Sequence, residues 1–160
     1  MLNFGRYSAD NFPNVRVYPA LVDRILEIVA VLLTLSIWSV VVAFHFLTPH
    51  NGATNSPFVI AGFATLCLIA LGWCGYIPIK LVRFPFRITE RNVYTQFFFA
   101  IRTTRCLNVV LSSLFLIRCL GEFGQKSGVS PELCDALTFA VALIMVLILI
   151  IYYLFAYRYR

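Results

Sequence analysis

The chain has 160 residues, 61% hydrophobic and 12% charged, with 13 Lys and Arg against 7 Asp and Glu and a formal net charge of +6. Soluble domains carry about a quarter charged residues, so this composition excludes an ordinary water-soluble domain. The basic excess does not describe a nucleic-acid-binding face either, because the cations sit at the ends of apolar segments instead of along a stripe.

Residues 1–20 show neither helical nor alternating periodicity. They hold Asp10, Pro13 and Pro19 and no compact apolar core, so they do not read as a cleavable signal and the first helix is expected to stay as an uncleaved anchor. Phe4, Tyr7, Phe12 and Tyr18 alternate with Arg6 and Arg16. Two readings stand for this segment: it lies on an anionic inner membrane surface, or it is a disordered tail.

Residues 28–44, 48–79 and 136–157 are free of charged side chains. A hydrocarbon core of about 30 Å needs roughly 20 apolar helical residues. The last two stretches reach that length alone, and the first does so with His45, Phe46 and Leu47 added. Inside lipid every backbone N–H and C=O must be paired within the chain, which makes such segments helices. A fourth hydrophobic stretch, interrupted by arginines, lies between the second and third of these. The expected fold is an all-α membrane protein with four transmembrane helices at about 21–47, 57–82, 89–120 and 131–157. These form a single domain over 21–160, preceded by a cytoplasmic or interfacial segment, 1–20.

Cations alternate by side. Arg6, Arg16 and Arg24 precede the first helix, and residues 45–57 carry none. The second turn holds Lys80, Arg83, Arg87 and Arg91, while in the third loop Arg118 and Lys126 are offset by Glu122, Glu132 and Asp135. The tail carries Arg158 and Arg160. The positive-inside rule then predicts both termini in the cytoplasm. Helix two is bounded by Pro57 and Pro78, and its Gly72 and Gly75 serve close helix approach or plain packing.

The third segment is the most informative. From Thr89 to Leu120 it reads as one helix of about 48 Å at 1.5 Å per residue, longer than the hydrocarbon is thick, with Thr89 as its cap. Asn92 and Gln96 share one face; Arg102, Arg105 and Ser112 fall near another stripe with Asn108 and Ser113 close by. Centring the span would place Arg105 in mid-membrane at a cost of several kcal/mol. The cheaper placement starts the span near Thr103 or Cys106, leaves 89–102 as a cytoplasmic or interfacial amphipathic extension, and lets Arg102 and Arg105 snorkel to headgroups. The alternative is a partly buried cationic site inside the bundle. Asp23, Arg24 and Glu27, at the start of helix one, are in reach of Arg87, Arg91, Arg102 or Arg105 for a structural salt-bridge network.

Ser130-Pro131-Glu132 reads as N-cap, helical proline and first-turn acid opening helix four. Tyr152, Tyr153, Tyr157 and Tyr159 beside the last arginines mark an interfacial anchor at its end. The five cysteines form no C-x-x-C pair. Cys67 and Cys74 share a face of helix two and read as small buried hydrophobes. Cys119 and Cys134 both fall near the outer surface, where free thiols are expected and a disulfide is the alternative. The spacing of His45 and His50 defines no metal geometry, so no metal or cofactor is expected.

The string Phe84-Pro85-Phe86-Arg87-Ile88-Thr89-Glu90-Arg91-Asn92, with Gln96 following, resembles a family of small bacterial multi-pass membrane proteins of mostly unknown function. That family shares its domain with the immunity proteins against a sporulation-delaying toxin of Bacillus-like bacteria. Its motif runs P-x-x-I-T-x-E-N-x-x-x-Q-Y; here Arg91 separates Glu90 from Asn92 and Phe97 replaces the tyrosine. The family's outer-loop motif, L-P-x-x-I-P-x-H-F-x-x-x-G, is represented by His45-Phe46 with Gly52 or by His50-Asn51-Gly52. The resemblance covers roughly residues 25–120. It implies a membrane domain with an inner helical hairpin and an immunity or sensing role, in a bacterial cytoplasmic (inner) membrane.

No catalytic constellation is visible, so an enzyme is not expected. The leading expectation is a binding, signalling or immunity-type protein whose Asn92, Gln96, Arg102, Arg105 and Asn108 form a polar binding surface for a peptide, lipid or partner protein. The alternatives are a small transporter or channel using the polar face of helix three, and an accessory subunit of a larger membrane complex. Expected partners are membrane lipids and a peptide or membrane protein, not nucleic acid; homo-oligomerisation stays open.

Overall fold

A computed structural model describes residues 2–9, 11, 15, 17–47, 57–124 and 130–159. Four α-helices dominate: α1 (Leu21–Leu47), α2 (Pro57–Cys74), α3 (Val93–Gly124) and α4 (Pro131–Arg158). Neither glycine nor proline interrupts α1, and Pro131 stands at the start of α4, where its missing N–H costs nothing. Three helices are long and apolar enough to cross a membrane, over Leu21–Phe46, Val93–Glu122 and Pro131–Arg158, whereas α2 is shorter.

Helix α3 is the hub. It packs against α1, α2 and α4; α1 and α2 also pack together, while α4 rests mainly on α3. Contacts fix the directions. Asp23 meets Arg102 near the start of α1, and farther along α1 Ile37 and Val41 share a core cluster with Ala61, Ala64 and Cys119. Thus α1 and α3 run parallel. Trp38 donates to Thr65 Oγ1 at 2.9 Å across α1 and α2, and Gln96 reaches Ala156 while Arg118 reaches Asp135, so α2 and α4 run the other way. Buried hydroxyls of Thr34 and Thr104 return to the carbonyls of Ala30 and Ala100, four residues back.

Only 11% of the most hydrophobic stretch of α4 is buried, and Leu21, Phe63, Leu66, Phe139 and Leu154 are all more than half exposed. Apolar surface this extensive is expelled by water and accepted by hydrocarbon. The molecule is built as a membrane protein.

The expected second helix, 57–82, stops eight residues early. Gly75 and Tyr76 tighten the last turn by donating to Gly72 and Trp73 carbonyls at 3.1 and 3.0 Å, and Pro78 disfavours helical backbone at Ile77. A 3₁₀ turn (Ile79–Leu81) then leads into β3 (Val82–Phe84). The third helix starts at Val93, not Thr89, because Asn92 organises the turn before it. Its Oδ1 accepts from Thr89 N–H at 2.8 Å and its Nδ2 donates to the Arg87 carbonyl at 3.0 Å.

In the N-terminal segment the described residues 2–9 carry two strands, so this part is not a disordered tail. Its strands β1 (Leu2–Asn3) and β2 (Tyr7–Ser8) flank β3 in the order β1-β3-β2, parallel with Leu2 opposite Val82 and antiparallel with Tyr7 opposite Phe84. Val82 and Phe84 are fully buried and Arg83 points out, the period-two alternation of a half-buried strand. Ala9, Ile77, Ile79, Val82 and Phe84 form one core with Val93, Phe97, Ala100 and Ile101 of α3 and Tyr152 and Ala156 of α4. The sheet caps one end of the helices, hereafter the sheet end. Tyr153 Oη donates to the Phe4 carbonyl at 3.0 Å, and the Phe4 ring lies 4.7 Å from that of Tyr152.

Gly5 is where this cap is tightest: a Cβ there would lie 2.2 Å from the Phe84 carbonyl oxygen and 2.4 Å from Pro85 Cα. Both are backbone atoms that cannot swing aside. Gly5→Val should therefore undock residues 2–9 at a cost of about 1–3 kcal/mol, read as faster limited proteolysis of the N-terminal segment with the helices intact by circular dichroism.

Candidate functional site

Asp23 lies in the first turn of α1, where its Oδ2 accepts the Ala20 N–H at 2.9 Å. Glu27 follows four positions later, on the same face. Facing them from α3 are Arg102 and Arg105, three positions apart. Arg102 Nε donates to Asp23 Oδ1 at 3.2 Å, and Arg105 Nη1 lies 3.5 Å from the same oxygen. Arg105 Nε donates to Glu27 Oε1 at 2.8 Å, and the Tyr76 hydroxyl donates to Glu27 Oε2 at 3.0 Å. Two arginines and two carboxylates thus form a neutral chain linking α1, α3 and the turn after α2. Desolvation first, and then the bond to Glu27, pushes the Tyr76 phenol above its ordinary range.

Each arginine is also held by an aromatic face. The Arg102 guanidinium lies 4.3 Å above the Phe98 ring and that of Arg105 5.9 Å from the Tyr76 ring. Gly75 lies beside Arg105: a Cβ there would stand 3.4 Å from Arg105 Nε and 3.6 Å from Nη2, in ordinary van der Waals contact, and 3.2 Å from the Gly72 carbonyl oxygen.

These positions correct the snorkelling expectation for Arg105. Its side chain is 4% exposed and turned into the bundle, because Asp23 at 1% and Glu27 at 27% satisfy it there. Arg102, at 33%, keeps partial access to the surface. Both stand level with the start of α1, so about five turns of α3 run beyond Arg105 and about three precede it as the extension packed on the sheet cap. The foreseen pairing of Asp23 and Glu27 with Arg102 and Arg105 is present.

The expected polar surface is not a surface. Asn92, Gln96, Arg105 and Asn108 are at most 6% exposed. Gln96 Nε2 donates to the Ala156 and Tyr159 carbonyls at 2.7 and 3.4 Å, closing the end of α4 where carbonyls lack helical partners. Asn108 Nδ2 reaches the Leu68 carbonyl of α2 at 3.5 Å. Asn92 serves the turn already described. Each is drawn inward by a partner of its own: backbone carbonyls for Asn92, Gln96 and Asn108, the Asp23 and Glu27 carboxylates for Arg105. Phe97 is buried, and Phe99 stacks on Phe155 and Tyr159 at 5.1 and 5.8 Å.

At the opposite end Cys119 and Cys134 are free thiols. Cys119 faces Ile37, Val41, Ala61 and Ala64 of α1 and α2, whereas Cys134 lies where a Cβ on Gly121 would be 3.3 Å from its Sγ. The two thiols occupy different sides of α3, which is why proximity in the topology does not become a bridge. Cys67, Cys74 and Cys106 are free as well. The His45 ring lies 5.4 Å edge-on from Phe58; His50, Asn51 and Gly52 lie outside the described residues.

Between α2, α3 and α4 at this end opens a groove of about 400 Å³. Ile60, Leu114 and Phe115 line it, with Arg118, Glu122 and Asp135 at its charged side. Arg118 Nη1 donates to Asp135 Oδ1 at 3.3 Å, in an exposed pair. No sequence signal marked this groove or the part played by Tyr76, since both depend on how α2 ends and where α4 docks. The chain matches no family model, no curated protein and no solved structure.

The exposure difference between the two arginines predicts unequal losses. Removing one partner of a buried pair costs about 3–5 kcal/mol, and an exposed pair is worth about 1 kcal/mol or less. Arg105→Ala should approach the first figure and Arg102→Ala should stay near the second, measured by unfolding in detergent.

Proposed function

We propose that this chain is an intramembrane binding protein of the signalling or immunity type, without catalytic chemistry, that receives a partner from the plane of the bilayer. The observation carrying this reading is the groove between α2, α3 and α4: α4 rests mainly on α3, so the helices leave a lined opening on their lateral side. The charged groups of α1 and α3 at the sheet end are engaged with one another. Asp23, Glu27, Arg102 and Arg105 neutralise each other and tie α1 to α3 as a stiff frame for the opening.

In this reading all four helices cross the membrane and both termini lie in the cytoplasm of a bacterial cell. The exposed cations Arg6, Arg24, Lys80, Arg83, Arg87, Arg91 and Arg158 gather at the sheet end, in support of that orientation. The groove then faces the outer half of the bilayer, where a peptide, a lipid or a neighbouring membrane protein would arrive. An immunity-type role agrees with the resemblance carried by Pro85, Ile88, Thr89, Asn92 and Gln96.

A photo-crosslinking residue at Phe115 tests the reading in native membranes. A discrete adduct is expected from Phe115, distinct from the general lipid labelling given by the same probe at Phe139, exposed on α4 outside the groove. Identical labelling from both sites would overturn it.

A second reading, a small transporter, draws on Arg105, Asn108 and Ser112, which are all buried along one face of α3. It requires Arg105→Ala to abolish an ion flux that the natural chain supports in sealed vesicles. Equal leak from both proteins would dismiss it.

A further inference from the structure

We propose that the groove between α2, α3 and α4 is a phospholipid site selective for a zwitterionic headgroup bearing a primary amine, as in phosphatidylethanolamine. This rests on the binding reading above and names the ligand class. The volume, about 400 Å³, falls within the range of ordinary small-ligand sites. Its lining is graded along the membrane normal. Ile60, Leu114 and Phe115 offer an apolar wall, and Arg118, one helical turn beyond Leu114 and about 6 Å farther along the axis, begins the charged part. Glu122 and Asp135 complete that part at the last turns of α3 and the first of α4. Hydrocarbon below and charge above is the polarity of a lipid.

The charges choose among headgroups. Among the described lining residues one cation stands beside two carboxylates. A guanidinium carries five N–H donors, of which the Asp135 bond uses one, so Arg118 can take a phosphate through its fork. Glu122 and Asp135 then face the amine. A primary ammonium supplies three N–H donors to carboxylates, whereas a quaternary choline supplies none. A phosphatidylglycerol headgroup brings no cation and meets a net negative rim. The apolar floor and mixed rim also distinguish the site from the sheet end, whose exposed cations would favour any anionic lipid.

The test uses the full chain, purified and equilibrated with equimolar phosphatidylethanolamine, phosphatidylcholine and phosphatidylglycerol of identical acyl chains, with retained lipid read by native mass spectrometry. Expected is one retained phosphatidylethanolamine, enriched about tenfold over either competitor, with the enrichment lost in Arg118→Ala and in the double variant Glu122→Gln/Asp135→Asn. These side chains are exposed, so thermal unfolding should stay near that of the natural chain and misfolding is separated from loss of binding. Equal retention of the three lipids, or enrichment untouched by both variants, would overturn the proposal. A protein or peptide adduct from Phe115 without lipid enrichment would overturn the lipid assignment and leave the binding reading standing. If neither adduct nor enrichment were found, both would fall.

Discussion

Burying an arginine near the edge of a hydrocarbon layer is tolerable only if the charge is answered on the spot, and the arrangement at the sheet end follows from that need. Arg105 is answered by Asp23 and Glu27 from the first two turns of α1. Meeting those partners fixes the height of α1 along α3. It also fixes where α2 must end, since Tyr76 and Gly75 have to reach the same place. An ion pair of this kind adds little net stability over apolar packing. Its contribution is to register, because one vertical offset between α1 and α3 brings four charges together and other offsets strand them.

With that offset set, the lower part of α3 projects past the start of α1 and would expose Val93, Phe97, Ala100 and Ile101. The chain covers them with residues from both sides of α2 and α3: the strand Val82–Phe84 and the paired N-terminal segment. A small sheet therefore appears in a chain whose composition is otherwise that of apolar helices. At the other end, among the described residues, nothing comparable binds α4 to α1 or α2. Packing there runs mainly through α3, and an opening remains beside it.

The polar residues of α3 show how a helical stripe can mislead. Asn92, Gln96, Arg105 and Asn108 stand out in an apolar sequence as if gathered for one purpose. In the folded chain they serve a turn, the end of α4, an ion-pair chain and a carbonyl of α2. In a low-dielectric surrounding every donor seeks the nearest acceptor, so polar groups spaced along a helix are dispersed among local duties. Binding capacity falls instead to a place made of ordinary residues, Ile60, Leu114 and Phe115, beside charges at helix ends.

Sequence by itself determined the membrane class and the limits of α1 and α4, and it put Asp23 and Glu27 in reach of Arg87, Arg91, Arg102 or Arg105, among which the folded chain selects the last two. These rest on local quantities: apolar run length, absence of helix breakers, and the need of a charge in lipid for its opposite. The three-stranded cap, the early end of α2, the inward turn of Arg105 and the separation of Cys119 from Cys134 were decided by tertiary structure. Each depends on which distant segment arrives first at a given surface. A three-residue strand carries too little local signal to announce that arrival. The groove is the furthest example, since it is the space left when three helices satisfy their own contacts, and no residue in the chain encodes it alone.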